Sequence, residues 1–339
     1  MLSPCIAFFD LHVNKYNQFS DKHDRLKDCL KVIDDVFKYA AHYEAETILF
    51  GGDMGDLPKW VYIEVINGIL SRFDKGFKKY PNVVVYAISG NHDHNKKNYW
   101  DNPANTILTV LATAFPERFI LIDNKFALNE SADASRYTMV CGIPYYENKS
   151  CFDKALDAMH EKVLQVKRQY KKCKVTLLIH QTPEGIYNKH IKADTSPADP
   201  RYDVFDLVMC GHIHKPQRIT DRFVVGGNPL HRDLGDVGDD KGIWLLDLAN
   251  PVKSLEFISR KGRYPEFLKV KSEHITEEMQ QANFIIPIME SKETVIEGSA
   301  DAAQFASTLN PEMLLTNFWK QVEGTDKRLL KVGLELLQP

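Results

Sequence analysis

The stretch V-V-V-Y-A-I-S-G-N-H-D, residues 83–93, carries the pattern that decides the fold. Its first half is rich in β-branched and aromatic side chains, which is typical of a buried strand. A glycine ends the run, and Asn91, His92 and Asp93 follow directly. Side chains that can bind a metal ion or transfer a proton therefore stand just beyond the end of a strand.

The same arrangement recurs along the chain. Short apolar runs predict further strands at residues 5–9, 47–50, 119–122, 137–141, 175–179 and 207–210. Potential metal ligands end or follow four of these runs: Asp10, His12, Asp53, His180, His212 and His214. Polar residues beyond the C-terminal ends of strands gather in one crevice of an α/β fold, so we expect these side chains to lie together.

Helical patterns separate the first strands. Apolar residues from Leu26 to Ala40 recur at three- and four-residue spacing and predict a helix over about 24–42. A second helix is expected after Pro58, a residue suited to the first turn of a helix. Strands that alternate with helices predict a layered α/β fold. Later runs at 223–225, 242–248 and 255–258 are interpreted as closing strands.

The pattern changes after about Gly262. Strands are expected near 267–270 and 284–288, and helical segments are expected between 301 and 338. We therefore predict a catalytic domain over residues 1–260, a small mixed α+β domain over 261–298 and a helical segment over 299–339.

Composition narrows the class of protein. The 339 residues are 44% hydrophobic and 26% charged, which is typical of a folded, soluble chain. A net charge of −3 argues against binding nucleic acid mainly through a large basic surface. The six cysteines show no C-x-x-C pair, and no apolar run approaches the length of a membrane span. These features, together with the absence of a signal-like N-terminus, predict a cytoplasmic protein with reduced thiols and no membrane association.

The gathered residues are of the types that hold divalent metal ions. A pair of such ions about 3.5–4 Å apart needs one carboxylate that bridges both. A mixed imidazole and carboxylate set favours Mn²⁺, Fe²⁺ or Zn²⁺ over Ca²⁺. Taken alone, Asp10 or Asp53 would more often be a turn or capping residue, and His180 a histidine at the edge of the core. The ordered set reverses that expectation.

The order of the motifs is specific. D-L-H at 10–12, G-G-D-M-G-D at 51–56, G-N-H-D at 90–93, His180 and G-H-I-H at 211–214 reproduce a known succession. Over roughly residues 5–250 the chain resembles the calcineurin-like metallophosphoesterase superfamily. The resemblance implies a layered α-β-β-α sandwich and a centre of two divalent metal ions, with Mn²⁺ the first choice and Mg²⁺, Fe²⁺ or Zn²⁺ as alternatives.

The resemblance also implies residue roles. Asp53 bridges both ions, Asp10, His12 and His214 complete one, and Asn91, His180 and His212 complete the other. His92 acts at the leaving group as an acid or a transition-state stabiliser, and Asp93 could orient it. Asp56 supports the loop or a ligating histidine through a hydrogen bond. Gly52, Gly90 and Gly211 supply positive φ or close backbone approach at the ligand-bearing turns.

Three further segments are similar to SbcD-type nucleases, the bacterial relatives of the meiotic-recombination-eleven nuclease. Residues 226–248 match the glycine-rich and acidic loop that follows the last motif in that family, and R-Y-P-E-F-L-K-V at 263–270 is similar to the opening of its DNA-capping domain. Residues 310–324 look like its terminal helices, which pack on an SbcC-type SMC-like ATPase. Burial of these helices against the chain's own core is the alternative.

These similarities imply a DNA exonuclease or endonuclease of DNA repair, recombination and replication, with DNA and the ATPase as partners and a homodimer allowed. Possible substrate contacts follow G-N-H-D, where a base could stack on an aromatic ring: Lys96, Lys97, Tyr99 and Trp100. A small-molecule phosphatase or phosphodiesterase of the same superfamily is the rival enzyme. A non-catalytic scaffold is disfavoured because every ligand position is filled.

Overall fold

A computed structural model of the chain describes residues 4–16, 23–56, 62–93, 106–130, 137–186 and 192–288. All of them belong to the first of two units into which the chain divides, Met1–Ile288. The predicted substrate contacts Lys96, Lys97, Tyr99 and Trp100, and the predicted helices of 299–339, lie outside these ranges. Among the described helices, none combines the length and apolar character needed to cross a bilayer.

The described part of the chain contains fourteen strands and five α-helices. The strands are β1 (Pro4–Phe8), β2 (Thr47–Phe50), β3 (Val84–Ala87), β4 (Phe119–Leu121), β5 (Lys125–Glu130), β6 (Tyr137–Ile143), β7 (Lys174–His180), β8 (Leu207–Gly211), β9 (Gln217–Thr220), β10 (Phe223–Val225), β11 (Gly242–Asp247), β12 (Glu256–Ser259), β13 (Phe267–Lys271) and β14 (Phe284–Ile288). The helices are α1 (Arg25–His42), α2 (Ile63–Lys79), α3 (Ile107–Ala114), α4 (Lys149–Gln169) and α5 (Glu277–Ala282).

Two six-stranded sheets form the frame of the molecule. The first has the order β12-β11-β1-β2-β3-β4. Strands β1 to β4 are parallel, β11 is antiparallel to β1, and β12 is antiparallel to β11. The second has the order β5-β6-β7-β8-β10-β9, with β6, β7, β8 and β10 parallel. The parallel strands of each sheet bring their C-terminal ends to one edge, where the predicted ligands stand.

Alternating side chains of β1 show how the layers are built. Ile6 and Phe8 pack with the residues of α1, α2 and α3, whereas Cys5, Ala7 and Phe9 pack against the second sheet. On the far side, α4 covers the second sheet in a separate apolar cluster. The order of layers is therefore helix, sheet, sheet, helix, which confirms the predicted α-β-β-α sandwich. Full burial of a side chain as large as Ile6 or Phe8 stabilises the fold by about 1.5–3 kcal/mol.

Helix α1 begins and ends near the predicted positions. The Asp24 side chain accepts a hydrogen bond from the backbone N–H of Lys27 at 3.0 Å and so caps the first turn. The predicted apolar stripe, including Leu30, Ile33 and Phe37, is buried. This confirms the helix that the three- and four-residue spacing indicated.

The closing strands do not form one consecutive group. Strand β10 pairs in parallel with β8 in the second sheet, whereas β11 and β12 extend the first sheet beside β1. The segment between them, residues 226–241, therefore crosses from one sheet to the other above the strand ends. Beyond it, β13 and β14 form a small parallel pair, in agreement with the strands expected there. The domain boundaries remain predictions.

Candidate metal centre

The two sheets contribute opposite halves of a buried cluster. Turns after β1, β2 and β3 carry Asp10, Asp53 and Asn91, while β7 ends in His180 and the turn after β8 carries His212. Asp10, Asp53 and His180 are at most 1% exposed. The structure thus brings residues that are far apart in sequence to one place, as their positions at strand ends predict.

The predicted ligands converge in two groups, one of Asp10, His12 and His214 and the other of Asp53, His180 and His212 with Asn91 beside them. In the first, which contains Asp10, His12 and His214, the Nε2 atoms of the two histidines lie 3.1 Å apart. In the second, Asn91 Oδ1 lies 3.1 Å from His180 Nε2 and 2.8 Å from His212 Nδ1. All of the predicted ligands are therefore members of one or the other group.

Asp53 belongs to the second group and also faces the first. Its Oδ2 atom is 3.4 Å from His12 Nε2 and 3.3 Å from His180 Nε2. A carboxylate that faces one histidine of each group has the position that a bridging ligand requires.

The hydrogen bonds of two histidine rings are compatible with a site that binds cations. His12 Nδ1 lies 3.1 Å from Asp56 Oδ1, and His180 Nδ1 lies 2.8 Å from the carbonyl oxygen of Gly51. When these rings are neutral, both contacts place the ring proton on Nδ1 and leave the Nε2 lone pair free to bind a metal ion. The Nε2 atoms face the acceptors Asp53 Oδ2 and Asn91 Oδ1. Facing acceptors in a buried site need a cation between them or beside them, which without a metal ion is a proton on His180 or the Arg232 guanidinium beside His12.

The pKa values of the buried acids and of His180 also indicate a site that favours cations. Burial and the neighbouring Asp53 carboxylate raise the pKa of Asp10 to about 7, although His180 opposes the rise. Burial would lower the pKa of His180, but the carboxylates of Asp53 and Asp10 outweigh it and raise the pKa to about 9. Burial would raise the pKa of Asp53, yet His180 and His12 hold it well below its usual range. Positively charged neighbours thus stabilise the ionised forms of Asp10 and Asp53.

Several ligand-type residues have left-handed backbone conformations. Asp10, His12, Asp53 and His212 have φ values of 47°, 49°, 60° and 83°. Each such conformation costs a non-glycine residue of the order of 1–3 kcal/mol. The turns hold it through hydrogen bonds, including Asp10 N–H to the Gly52 carbonyl at 3.0 Å and His212 N–H to Asp10 Oδ1 at 2.9 Å. Strain of this kind, concentrated at one cluster, is typical of a functional site.

Two of the predicted glycines are required by this geometry. Gly52 has a φ of +97°, and a Cβ atom there would lie 2.6 Å from His180 Nδ1. A Cβ atom at Gly90 would lie 2.2 Å from Asp53 Oδ1. A side chain at either position would displace the residues that hold the cluster together.

His92 stands at the open side of the cluster. Its side chain is 29% exposed, and its Nδ1 atom lies 3.3 Å from Asp56 Oδ1, a close contact without hydrogen-bond alignment. Its backbone N–H donates to Asp53 Oδ1 at 2.7 Å. The imidazole is therefore held beside the converging ligands while it stays accessible to a bound molecule.

Asp93 has a different environment from the one expected. Its carboxylate is buried and accepts hydrogen bonds from the backbone N–H groups of Asp53, Met54 and Gly90 at 2.7, 2.8 and 2.9 Å. The hypothesis that Asp93 orients His92 is therefore corrected: the carboxylate beside the His92 ring is that of Asp56. Asp93 instead ties together the two turns that follow β2 and β3.

Asp56 connects three side chains. It accepts from His12 Nδ1 and, at 2.7 Å, from Arg232 Nη2, and it faces His92. Burial would raise the pKa of Asp56, but the hydrogen bond from His12 and the close approach of His92 lower it well below the usual range. The supporting role expected for Asp56 agrees with these contacts.

Three residues at the site were not identified from the sequence. Arg232 lies beside His12 and His214, and the Tyr145 ring stacks on that of His212 with centroids 5.6 Å apart. The buried Lys241 donates from Nζ to the carbonyl oxygen of His214 at 2.9 Å. The similarity of residues 226–248 to known nucleases rests on a motif, which assigns no role to its single side chains.

Comparison with known proteins identifies the class. Residues 10–216 match the model of the calcineurin-like phosphoesterase family, and the chain belongs to that family. It is a hydrolase of the metallophosphoesterase superfamily, whose fold uses a dimetal site, and the clustered histidines and aspartates fit such a site.

Two curated relatives have names that describe a narrower function than the family does. The chain is 24% identical over 264 residues to the DNA double-strand break repair protein Mre11 of Nanoarchaeum equitans, and 24% identical over 292 residues to the SbcD component of the nuclease SbcCD of Staphylococcus epidermidis. The matches cover 71% and 74% of this chain. They span 66% of the first relative, just under two thirds of its length, and 75% of the second.

Solved structures are similar at a lower level. A protein of Thermus thermophilus matches 76% of this chain and 99% of its own length with 14% identity and a TM-score of 0.47. A dimetal phosphatase from Danio rerio matches 72% of this chain and 92% of its own length with 9% identity and a TM-score of 0.46. Likenesses of this degree carry no conclusion about substrate.

Proposed function

We propose that the protein is a metal-dependent DNA nuclease, an exonuclease or endonuclease that hydrolyses phosphodiesters with two metal ions. The observation that carries this proposal is the similarity to two DNA-processing relatives across 71% and 74% of the chain. It covers more of the chain than the residues 10–216 that match the family model, so it includes part of the chain after the last histidine motif.

The cluster supports a specific arrangement of ions. In the proposal, one ion would be held by Asp10, His12, Asp53 and His214, and the other by Asp53, Asn91, His180 and His212. We favour Mn²⁺, because the set mixes imidazole nitrogen with carboxylate and amide oxygen. When bound, the ions supply charge that polarises the phosphoryl oxygens and the attacking water.

The chain's own residues then divide the remaining work. Water adds to phosphorus and releases a proton to solvent, the bond between phosphorus and the leaving sugar oxygen breaks, and that oxygen takes up a proton. His92 is accessible at the cluster and is proposed to donate this proton or to stabilise the leaving oxygen. Asp56, which stays ionised, keeps positive charge on the neighbouring imidazole favourable.

Partners form a second part of the proposal. The name of the staphylococcal relative describes one component of a complex, and we propose that this chain assembles with an SMC-like ATPase through residues 299–339. The net charge of −3 supports a partner that shares DNA binding. A small capping domain over 261–298 is a further part of the proposal. Contact with DNA through Lys96, Lys97, Tyr99 and Trp100, and a homodimer, belong to the same proposal.

A docking experiment tests the partner. The full chain and a variant that ends at residue 300 are each co-expressed with a tagged candidate ATPase. Loss of co-purification in the shortened chain, with its nuclease activity retained, supports docking through the terminal segment. Retained co-purification refutes it.

A substrate experiment tests the enzyme. Purified protein with Mn²⁺ is offered linear duplex DNA and, separately, bis(p-nitrophenyl) phosphate, with Asp53→Asn as the control for contaminating nucleases. Shortened or nicked DNA that depends on Asp53 supports the nuclease. Turnover of the ester with intact DNA rejects it in favour of a small-molecule phosphodiesterase.

A further inference from the structure

Arg232 places a permanent cation at the edge of the candidate metal centre. Its Nη1 atom lies 3.4 Å from the Nε2 atoms of both His12 and His214, while Nη2 donates to Asp56 Oδ1 at 2.7 Å. The side chain is 21% exposed, so it is held by the protein and still open to a bound molecule.

The main chain of Arg232 is fixed on both sides. Its N–H donates to Asp236 Oδ2 at 2.6 Å, and its carbonyl oxygen accepts from the guanidinium of Arg25 at 2.5 Å. Asp236 is in turn paired with the buried Lys241. The Arg25 guanidinium packs 4.1 Å from the centroid of the Tyr16 ring. The position of Arg232 is therefore determined before any ligand arrives, which is what electrostatic catalysis requires.

A guanidinium is unsuited to hold a metal ion, because it carries only donors and stays protonated. It is well suited to phosphate, which it can bind through two N–H groups at once. Asp56 occupies the Nη2 side, and the Nη1 side faces the ring nitrogens on which the metal centre converges. An anion bound at that centre would have its outer oxygens beside Nη1.

We propose that Arg232 is a substrate-binding catalytic residue that donates from Nη1 to a non-bridging oxygen of the phosphoryl group and stabilises the charge that develops on it. This deepens the proposed function, since it names a group that contacts the substrate. It applies to any phosphoester that the centre hydrolyses and does not depend on DNA being that substrate.

A purely structural role for Arg232 predicts a different outcome when the residue is replaced. If Arg232 served only as the counter-ion of Asp56, removing it would release Asp56 and thereby loosen His12, so the metal content would fall and phosphate binding would follow it. A substrate contact predicts that metal content is kept while phosphate binding and turnover are lost. Metal stoichiometry and phosphate affinity therefore separate the two roles without reference to activity.

The experiment compares Arg232→Ala and Arg232→Lys with Arg222→Ala, in which an exposed arginine paired with Asp203 is removed from the surface. Bound Mn²⁺ is measured by mass spectrometry, and the affinity of the Mn²⁺-loaded protein for inorganic phosphate by calorimetry. Turnover is measured with bis(p-nitrophenyl) phosphate and with DNA, with and without added guanidinium chloride at constant ionic strength.

We expect Arg232→Ala to keep its Mn²⁺ and to lose about 10²–10³-fold in kcat, as does the loss of one oxyanion donor in other enzymes. Phosphate affinity should fall about tenfold or more, since one charge-assisted contact is removed. Arg232→Lys should restore part of kcat, guanidinium should rescue Arg232→Ala, and Arg222→Ala should match the unchanged protein.

Unchanged phosphate affinity in Arg232→Ala, or loss of Mn²⁺ together with activity, overturns the proposal. Failure of the proposed nuclease function has a different signature, namely ester turnover with intact DNA in the unchanged protein. Even then the ester and phosphate measurements decide the role of Arg232. If no ester or DNA is hydrolysed, phosphate binding to the Mn²⁺-loaded protein decides it alone.

Discussion

Replacing Asp35 by asparagine should destabilise the protein strongly, although this residue lies on α1 and away from the metal centre. The Asp35 carboxylate is 1% exposed and accepts hydrogen bonds from Arg260, Arg263 and Tyr264 at 2.7 to 3.0 Å. Arg260 is itself 2% exposed, and its Nε and Nη1 atoms have no hydrogen-bond partner in the described chain. Asp35 is thus the counter-charge of a buried cation.

The size of the effect follows from that burial. Breaking a buried ion pair by removing one partner costs about 3–5 kcal/mol, because the remaining charge stays desolvated and unpaired. Stacking of Arg260 on Tyr39 and Tyr264, 4.8 and 5.1 Å from the ring centroids, places the loss towards the lower end of this range. Since whole domains are stable by only about 5–15 kcal/mol, the change should be large.

Urea unfolding followed by circular dichroism measures this loss. Asp34→Asn is the matched control, because Asp34 is the preceding residue and pairs with Arg72 at the surface, where the two side chains are 19% and 31% exposed. That control should cost at most about 1 kcal/mol. An Asp35→Asn midpoint equal to that of Asp34→Asn would refute the reasoning.

The pH dependence gives an independent check. The hydrogen bonds from Arg263 and Tyr264 outweigh burial and hold the pKa of Asp35 well below its usual range. A carboxyl whose pKa is lower in the folded state stabilises the fold above its unfolded pKa of about 3.9, and this contribution is lost as the pH falls towards the folded value. The difference between Asp35→Asn and the unchanged protein should therefore be full at pH 7 and shrink below about pH 4.

Three further predictions concern the metal centre. His92→Asn should lower kcat about 10²–10⁴-fold and keep bound Mn²⁺, as measured by kinetics and mass spectrometry; loss of metal would contradict its role beside the ligands. Gly90→Ala should reduce Mn²⁺ binding, because its Cβ would lie 2.2 Å from Asp53 Oδ1, and unchanged binding would show that the turn yields. Removing metal with a chelator should lower the melting temperature reversibly, since ions that bind only the folded state stabilise it; an unchanged melting temperature would argue against that linkage.

The position of the candidate site was predictable because it depends on strand ends. Residues such as Asp53 and His180 follow or end short apolar runs whose type is readable from the sequence, and parallel strands bring such residues to one edge. The layered fold was predictable for the same reason. Strands β5 and β9 were not predicted, because Lys125–Glu130 and Gln217–Thr220 are at most partly buried and carry no clear apolar run.

Contacts of single side chains beyond this convergence of strand ends were not predictable. Asp93 follows His92 in sequence, which suggested a pair, but the turn directs its carboxylate to backbone amides of another loop. Arg232 and Tyr145 lie in loops with no periodic pattern, and their roles depend on neighbours up to 220 residues away in sequence. Local pattern predicts which elements form, whereas tertiary packing determines which side chains meet.

The division of the cluster between two sheets has a consequence for the maturation of the protein. One sheet by itself offers Asp10, Asp53 and Asn91, and the other offers His180 and His212. A nascent chain in which only one sheet has formed presents an incomplete set of ligands and would hold metal weakly. Hydrolytic competence should therefore arise only after the sheets have docked, so that a partly folded molecule cannot attack phosphoesters around it.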